Sequence, residues 1–210
     1  GEVGPVLQEE AQALLQAGVV RRATHLADGR ELFYYDDPDT ALAEQRAVDR
    51  RTLSERAPTA RMRQDVLTGD WITFATARQS RAFMPPAHQD PLAPQTASNP
   101  SEIPALYDVA VFENKSPAFG PATEMGTDRS VDAAPDSLFR ERVSVGRCEV
   151  VCFSAEHEGS FASLTPTRAR TVVEAWADRT AALSGIPAVE QVFVFENRGA
   201  EIGVTLHHPH

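Results

Sequence analysis

Three of the six histidines in this 210-residue chain occupy its last four positions, as His207, His208 and His210 in "LHHPH". In an extended segment, residues i and i+2 share a face about 6–7 Å apart. Proline between them fixes φ and removes a backbone donor, so the link from His208 to His210 is stiff. Imidazoles so placed can divide labour: one is fixed by a metal or a hydrogen bond while the other is presented to a substrate. A neutral ring nitrogen of His210 can attack an electrophilic phosphorus. The same residues also read as a histidine-rich tail without chemistry, and spacing alone does not separate the two.

The rest of the chain bounds what those imidazoles can meet. At 42% hydrophobic residues, 210 residues can bury one substantial core or two small ones. Asp and Glu number 30 against 20 Lys and Arg, a formal charge of −10. That argues against nucleic acid as a general partner, because phosphate neutralisation needs clustered cations. A small phosphorylated ligand remains compatible, since a few arginines and backbone amides can hold one. No apolar run approaches the ~20 residues of a membrane span. No basic region precedes the first apolar stretch, so no signal peptide is expected. Cys148 and Cys152 sit in the strand-like "RCEVVCF", about 13 Å apart and out of disulfide reach. Two reduced thiols in a cytoplasmic protein are expected.

The elements that must position the histidines follow from pattern. Residues 6–17 read as a short amphipathic helix closed by Gly18. Two alternating runs meet at Asp28-Gly29, which predicts a hairpin. The charged, Ala-rich stretch 37–62 predicts a helix and linker, Thr68-Gly69-Asp70 a turn, and 71–76 a strand. Six prolines between 84 and 104 predict a loop. "YDVAVFENK" and "CEVVCFS" read as strands, with irregular chain over 116–140. "LTPTRARTVVEAWADRTAALSG" is the clearest helix, with Thr165 as cap, Pro166 in the first turn and Gly185 at its end. Val172, Val173, Trp176, Ala177 and Leu183 would form its apolar face. "EQVFVFENRGAEIGV" predicts a strand, and 204–210 a short one carrying the histidines. Strands and hairpins with few helices suggest an α+β fold: a mostly antiparallel sheet with helices packed on it.

"VFENRGAEIGVTLHHPH" resembles the active-site segment of the galactose-1-phosphate uridylyltransferases, members of the histidine-triad superfamily. Upstream, "RMRQDVLTGDWITFATARQSR", "DVAVFENKSPAF" and "CEVVCFSAEHEGSFASLTPTRARTVVEAWADR" follow in the family's order and spacing. "LADGRELFYYDD" resembles the opening hairpin of bacterial members. The likeness covers residues 19–210 as an N-terminal histidine-triad-like domain of half-barrel form, and leaves 1–18 as an extension helix. It implies exchange of UMP between UDP-glucose and a hexose 1-phosphate, galactose 1-phosphate, through a uridylyl-histidine intermediate. It implies His210 as the nucleophile, and His208 and His157 as zinc ligands. Asn114, Asn197, Gly203 and Thr205 would contact the nucleotide and its phosphates. Arg78 and Arg81 would reach the phosphates, partly across a dimer interface.

The sequence departs from the family in two places. Where Cys-x-x-Cys usually opens the zinc site, this chain reads Asp90-Pro91-Leu92-Ala93. Asp90 can ligate through oxygen and His88 through nitrogen, whereas Ala93 offers no ligand. Both a zinc site of His157, His208 and Asp90 and a metal-free fold with His208 held by hydrogen bonds stay open. Lys115 also stands where an acidic nucleotide contact is common. The second departure is that the family continues past His-Pro-His with Gly-Gln and a second half. The expectation is therefore a homodimer, or a partner C-terminal half, with little transferase activity in this chain alone. The alternatives are a non-catalytic or degenerate nucleotide-binding protein, a subunit of a split enzyme, or a nucleotide hydrolase.

Overall fold

A computed structural model of the chain describes residues 11–54, 60–74, 85–120, 138–202, 204 and 206–210. Its strands are β1 (Ala11–Leu14), β2 (Val20–His25), β3 (Glu31–Asp36), β4 (Arg61–Gln64), β5 (Trp71–Phe74), β6 (Val109–Glu113), β7 (Glu141–Val143) and β8 (Glu149–Cys152), and its helix is α1 (Pro166–Ser184). They form a five-stranded sheet in the order β1-β2-β3-β6-β8 and a three-stranded sheet β5-β4-β7. Every strand pair is antiparallel. The fold is α+β as expected, and among the described residues the sheets do not close into a barrel.

The larger sheet is built around β3 and β6, whose residues are almost all buried. Period-2 alternation sends Leu32, Tyr34, Ala110 and Phe112 to one face and Phe33, Tyr35, Val109 and Val111 to the other. Cross-strand partners agree with this division, Leu32 facing Phe112 and Phe33 facing Val111. Residues from the 90–107 loop, including Leu92, Ile103 and Tyr107, cover the first face. Helix α1 covers the second with Val172, Ala175 and Trp176. Burying each large side chain contributes about 1.5–3 kcal/mol, so both faces are held by apolar cores.

Helix α1 starts where its capping chemistry places it. The Thr165 hydroxyl accepts from the Arg168 amide at 3.2 Å and Pro166 opens the first turn. Val172 and Trp176 pack on the sheet as expected, joined by Ala175 and Arg179, whereas Val173 and Ala177 turn to solvent. Ion pairs clamp this helix to the sheet. Asp178 receives both Arg21 Nη1, at 2.9 and 3.0 Å, and the Tyr35 hydroxyl, at 2.7 Å. Arg179 grips Glu149 of β8 and lies over the Phe33 ring. Arg168 bridges Asp37 and Asp108 at the ends of β3 and β6.

Several expectations change. The 11–14 segment is a strand paired with β2, not part of a helix, and 16–18 is a single 3-10 turn; residues 6–10 lie outside the described set. Within 37–54 there is no helix, and β4 begins at Arg61. The 190–199 segment and the final residues are irregular rather than strands. The hairpin at Asp28-Gly29 forms as expected, with Gly29 at φ 82°. The second hairpin, β4–β5, turns through Gly69 at φ 81°.

Candidate active site and metal centre

The fold brings three separate loops to one point. Asp90 follows a 3-10 turn in the loop that covers the sheet, His157 follows β8, and His208 comes from the chain's last residues. One carboxylate oxygen, Asp90 Oδ2, faces His208 Nδ1 at 2.7 Å and His157 Nδ1 at 2.8 Å. Asp90 and His208 are buried; His157 is partly exposed. Burial acts to raise the Asp90 carboxyl, but hydrogen bonds from His208 and His157 outweigh it and hold the group down at about 2.

The donors of Asp90, His157 and His208 all lie within 4.8 Å of one another, as a shared cation requires. Two imidazole nitrogens and a carboxylate oxygen are ligands that zinc and similar divalent ions accept. The tautomer of His208 fits as well. Its Nε2 lies 2.7 Å from the Ser154 carbonyl, which can only accept, so Nε2 carries hydrogen, and Nδ1 is the nitrogen that a shared cation would take in place of its hydrogen bond to Asp90. Tyr107 donates its hydroxyl to the Leu92 carbonyl at 2.7 Å and rests 3.0 Å from His208 Nε2. The group therefore offers three candidate metal ligands, none of them a thiolate. His88 is exposed and stands apart from it.

His210 occupies different surroundings. Pro209 is buried, and its carbonyl accepts the Phe153 amide at 3.1 Å, which docks the terminal segment beside the end of β8. His210 Nδ1 approaches the His208 carbonyl at 2.6 Å. That oxygen only accepts, so the proton is on Nδ1 and the Nε2 lone pair is unengaged by this bond. The ring lines a cavity of about 1250 Å³ together with Asn114, Lys115, Asn197 and Arg142. Asn114 is fixed at the end of β6: its amide donates to Cys148 at 2.9 Å, and its side-chain oxygen accepts from Ser116 at 3.0 Å. Asn197 is exposed on the irregular segment. Lys115, the only lysine in the sequence, is exposed at the cavity wall. Arg78, Arg81, Gly203 and Thr205 lie outside the described residues.

Residues 49–210 match the galactose-1-phosphate uridyl transferase N-terminal domain. The chain belongs to that family. It is 48% identical over 190 residues to a Streptomyces lividans protein named galactose-1-phosphate uridylyltransferase, covering 90% of this chain and 47% of the relative. A Thermotoga maritima protein of the same name is 32% identical over 149 residues, 71% of this chain and 44% of the relative. A Rattus norvegicus protein of that name is 28% identical over 165 residues, 71% and 41% of the two chains. The chain thus spans about half the length of the curated relatives it matches.

In this uridyl transferase domain the supports of the histidines are what motif spacing missed. Tyr107 and Ser154 orient His208 from 101 and 54 residues away, and no local pattern announces either. His157, flanked by Glu156 and Glu158, reads locally as a surface histidine, yet one ring nitrogen is engaged with buried Asp90. Among the described residues, no helix is long and apolar enough to cross a membrane.

Proposed function

We propose that this chain is the nucleophile-bearing half of a uridylyltransferase that exchanges UMP between UDP-glucose and galactose 1-phosphate. The observation that carries the reading is the His210 Nδ1 contact with the His208 carbonyl, at 2.6 Å, which turns a neutral Nε2 toward reaction. Nε2 attacks the α-phosphorus of UDP-glucose. A P–N bond forms, the P–O bond to the β-phosphate breaks, and glucose 1-phosphate departs with that oxygen. The phosphate oxygen of galactose 1-phosphate then attacks the same phosphorus, the P–N bond breaks, and UDP-galactose leaves neutral Nε2 behind. Holding the imidazole at fixed angle and distance supplies much of the rate, since phosphoryl transfer depends on positioning and charge stabilisation.

Asn114 and Asn197 contact the nucleotide in this reading, with Gly203 and Thr205 at the phosphates and Arg78 and Arg81 as their counter-charges. Asp90, His157 and His208 would hold a zinc ion, less tightly than a thiolate site would. When bound, that ion serves as a structural tether for the segment carrying His210. Residues 19–210 act as one domain, to whose sheet the 1–18 extension adds β1 as an edge strand, in a cytoplasmic enzyme that works as a homodimer or with a partner C-terminal half.

The test compares His210→Gly with the unsubstituted protein at its natural full length. The reading expects exchange to vanish while UDP-glucose affinity changes less than about threefold, because binding and nucleophile are separate groups. Exchange that survives the substitution refutes it.

A further inference from the structure

Arg30 is fully buried, although it sits in the turn of a surface hairpin. Three acceptors surround its guanidinium. Nε meets both Asp28 oxygens, at 3.0 and 2.8 Å; Nη2 pairs with Glu102; and Nη1 donates to the Glu113 carbonyl at 3.0 Å. The Phe112 ring lies beneath it, 5.9 Å from the guanidinium carbon.

The placement of the Glu113 carbonyl gives this cluster a purpose beyond the turn. Pairing of β3 with β6 ends at Leu32 and Phe112, so Glu113 lies one residue past the last rung on that side. Its other side is still paired, with Glu149 of β8. The Arg30 side chain takes the place of the missing β3 rung at the point where the chain leaves the sheet. The next residue is Asn114, already held from β8 by the Cys148 carbonyl. Glu102 extends the connection, because its backbone amide donates to the Pro91 carbonyl at 2.8 Å, one residue from Asp90.

We propose that Arg30 is a positioning residue for nucleotide recognition, a buried guanidinium that completes the β6 ladder and aims Asn114 into the cavity. The proposal rests on the reading of Asn114 as a uridine or ribose contact. Arginine is needed here because only its rigid fork serves two carboxylates and a carbonyl at once. A lysine ammonium keeps the charge but cannot span all three directions.

The test is a double-mutant cycle read as UMP affinity by calorimetry on the full chain. Arg30→Lys preserves the charge against Asp28 and Glu102; Arg30→Met is the stronger variant where it folds. Arg30→Lys should weaken UMP binding about tenfold, the scale of one lost hydrogen bond to a charged group. In an Asn114→Ala background the same change should cost less than about twofold, while in an Asn197→Ala background it should keep its full size. A full effect in both backgrounds overturns the proposal, since it marks general loosening, and so does no effect in either. Failure of the unsubstituted chain to bind UMP overturns the nucleotide reading itself, and is recognised because it occurs before any substitution.

Discussion

Asp90 Oδ2 and His208 Nδ1 meet at 2.7 Å across 118 residues of sequence, in a pocket where both side chains are buried. This contact fixes the segment that carries His210. His208 cannot turn without leaving its Nε2 hydrogen bond to Ser154, and Pro209 couples its backbone to the next residue. The position of the His210 imidazole is therefore tied to the Asp90 carboxylate through His208 and Pro209.

Replacing that carboxylate should be felt in both metal content and stability. Protein purified without added metal is expected to carry zinc well below one equivalent by elemental analysis, since oxygen and imidazole bind it less tightly than thiolate. Asp90→Cys should raise the zinc content. Asp90→Ala should abolish zinc uptake and cost about 1–3 kcal/mol in urea unfolding, because His208 is left buried with an unpaired nitrogen. Near-stoichiometric zinc in the unsubstituted protein, unchanged by Asp90→Cys, would show that the carboxylate site is already tight.

Acid should weaken the loop that supports the hairpin turn. Burial acts to raise the Asp49 carboxyl, but bonds from Arg51, the Ala27 amide and Gln95 hold it well below its ordinary 3.8. A depressed carboxyl contributes stability that is complete above the unfolded value and is lost as pH falls through 3.8 toward the folded one. Asp49→Asn should therefore destabilise at pH 7 by about 2 kcal/mol, with the difference from the unsubstituted protein shrinking between pH 4 and pH 2. Urea titrations across that range check it, and a constant difference would remove Asp49 from the account.

The helix clamp gives a prediction independent of catalysis. Arg179 is largely buried, holds Glu149 through two bonds at 2.9 and 2.8 Å, and stacks on Phe33. Arg179→Met should cost about 1–3 kcal/mol, since Glu149 loses two charged hydrogen bonds and keeps only the one from Arg147. Denaturant unfolding measures this, and a loss below about 0.5 kcal/mol, typical of exposed pairs, would contradict it.

Local chemistry made the hairpins and the helix legible. Gly29 supplies the positive φ its turn needs, and Thr165-Pro166 suits a helix start. The β6 and β8 strands announced themselves through valine and phenylalanine. The 11–14 segment did not, because alanine, glutamine and leucine favour helix, and the ladder to β2 overrides that preference. The 190–197 run failed in the opposite direction. Its alternating Phe193 and Phe195 suit a strand, but both are exposed here with no ladder partner among the described residues. At the candidate site, the meeting of His208, His157 and Asp90 and the placing of His210 beside Asn114 and Asn197 at one cavity were legible from the resemblance. The burial of Arg30 was not, since "ADGRE" advertises a surface turn and its acceptors lie up to 83 residues away.

Transfer through His210 requires a covalent bond between uridylate and that imidazole. The direct measurement is to mix the full-length protein with UDP-glucose, without acceptor, and to locate any phosphoramidate by phosphorus NMR and peptide mass mapping. One uridylyl group per active site is expected, on Nε2 of His210, released as UDP-galactose when galactose 1-phosphate is added. Turnover without such an adduct, or an adduct that persists in His210→Gly, would contradict it.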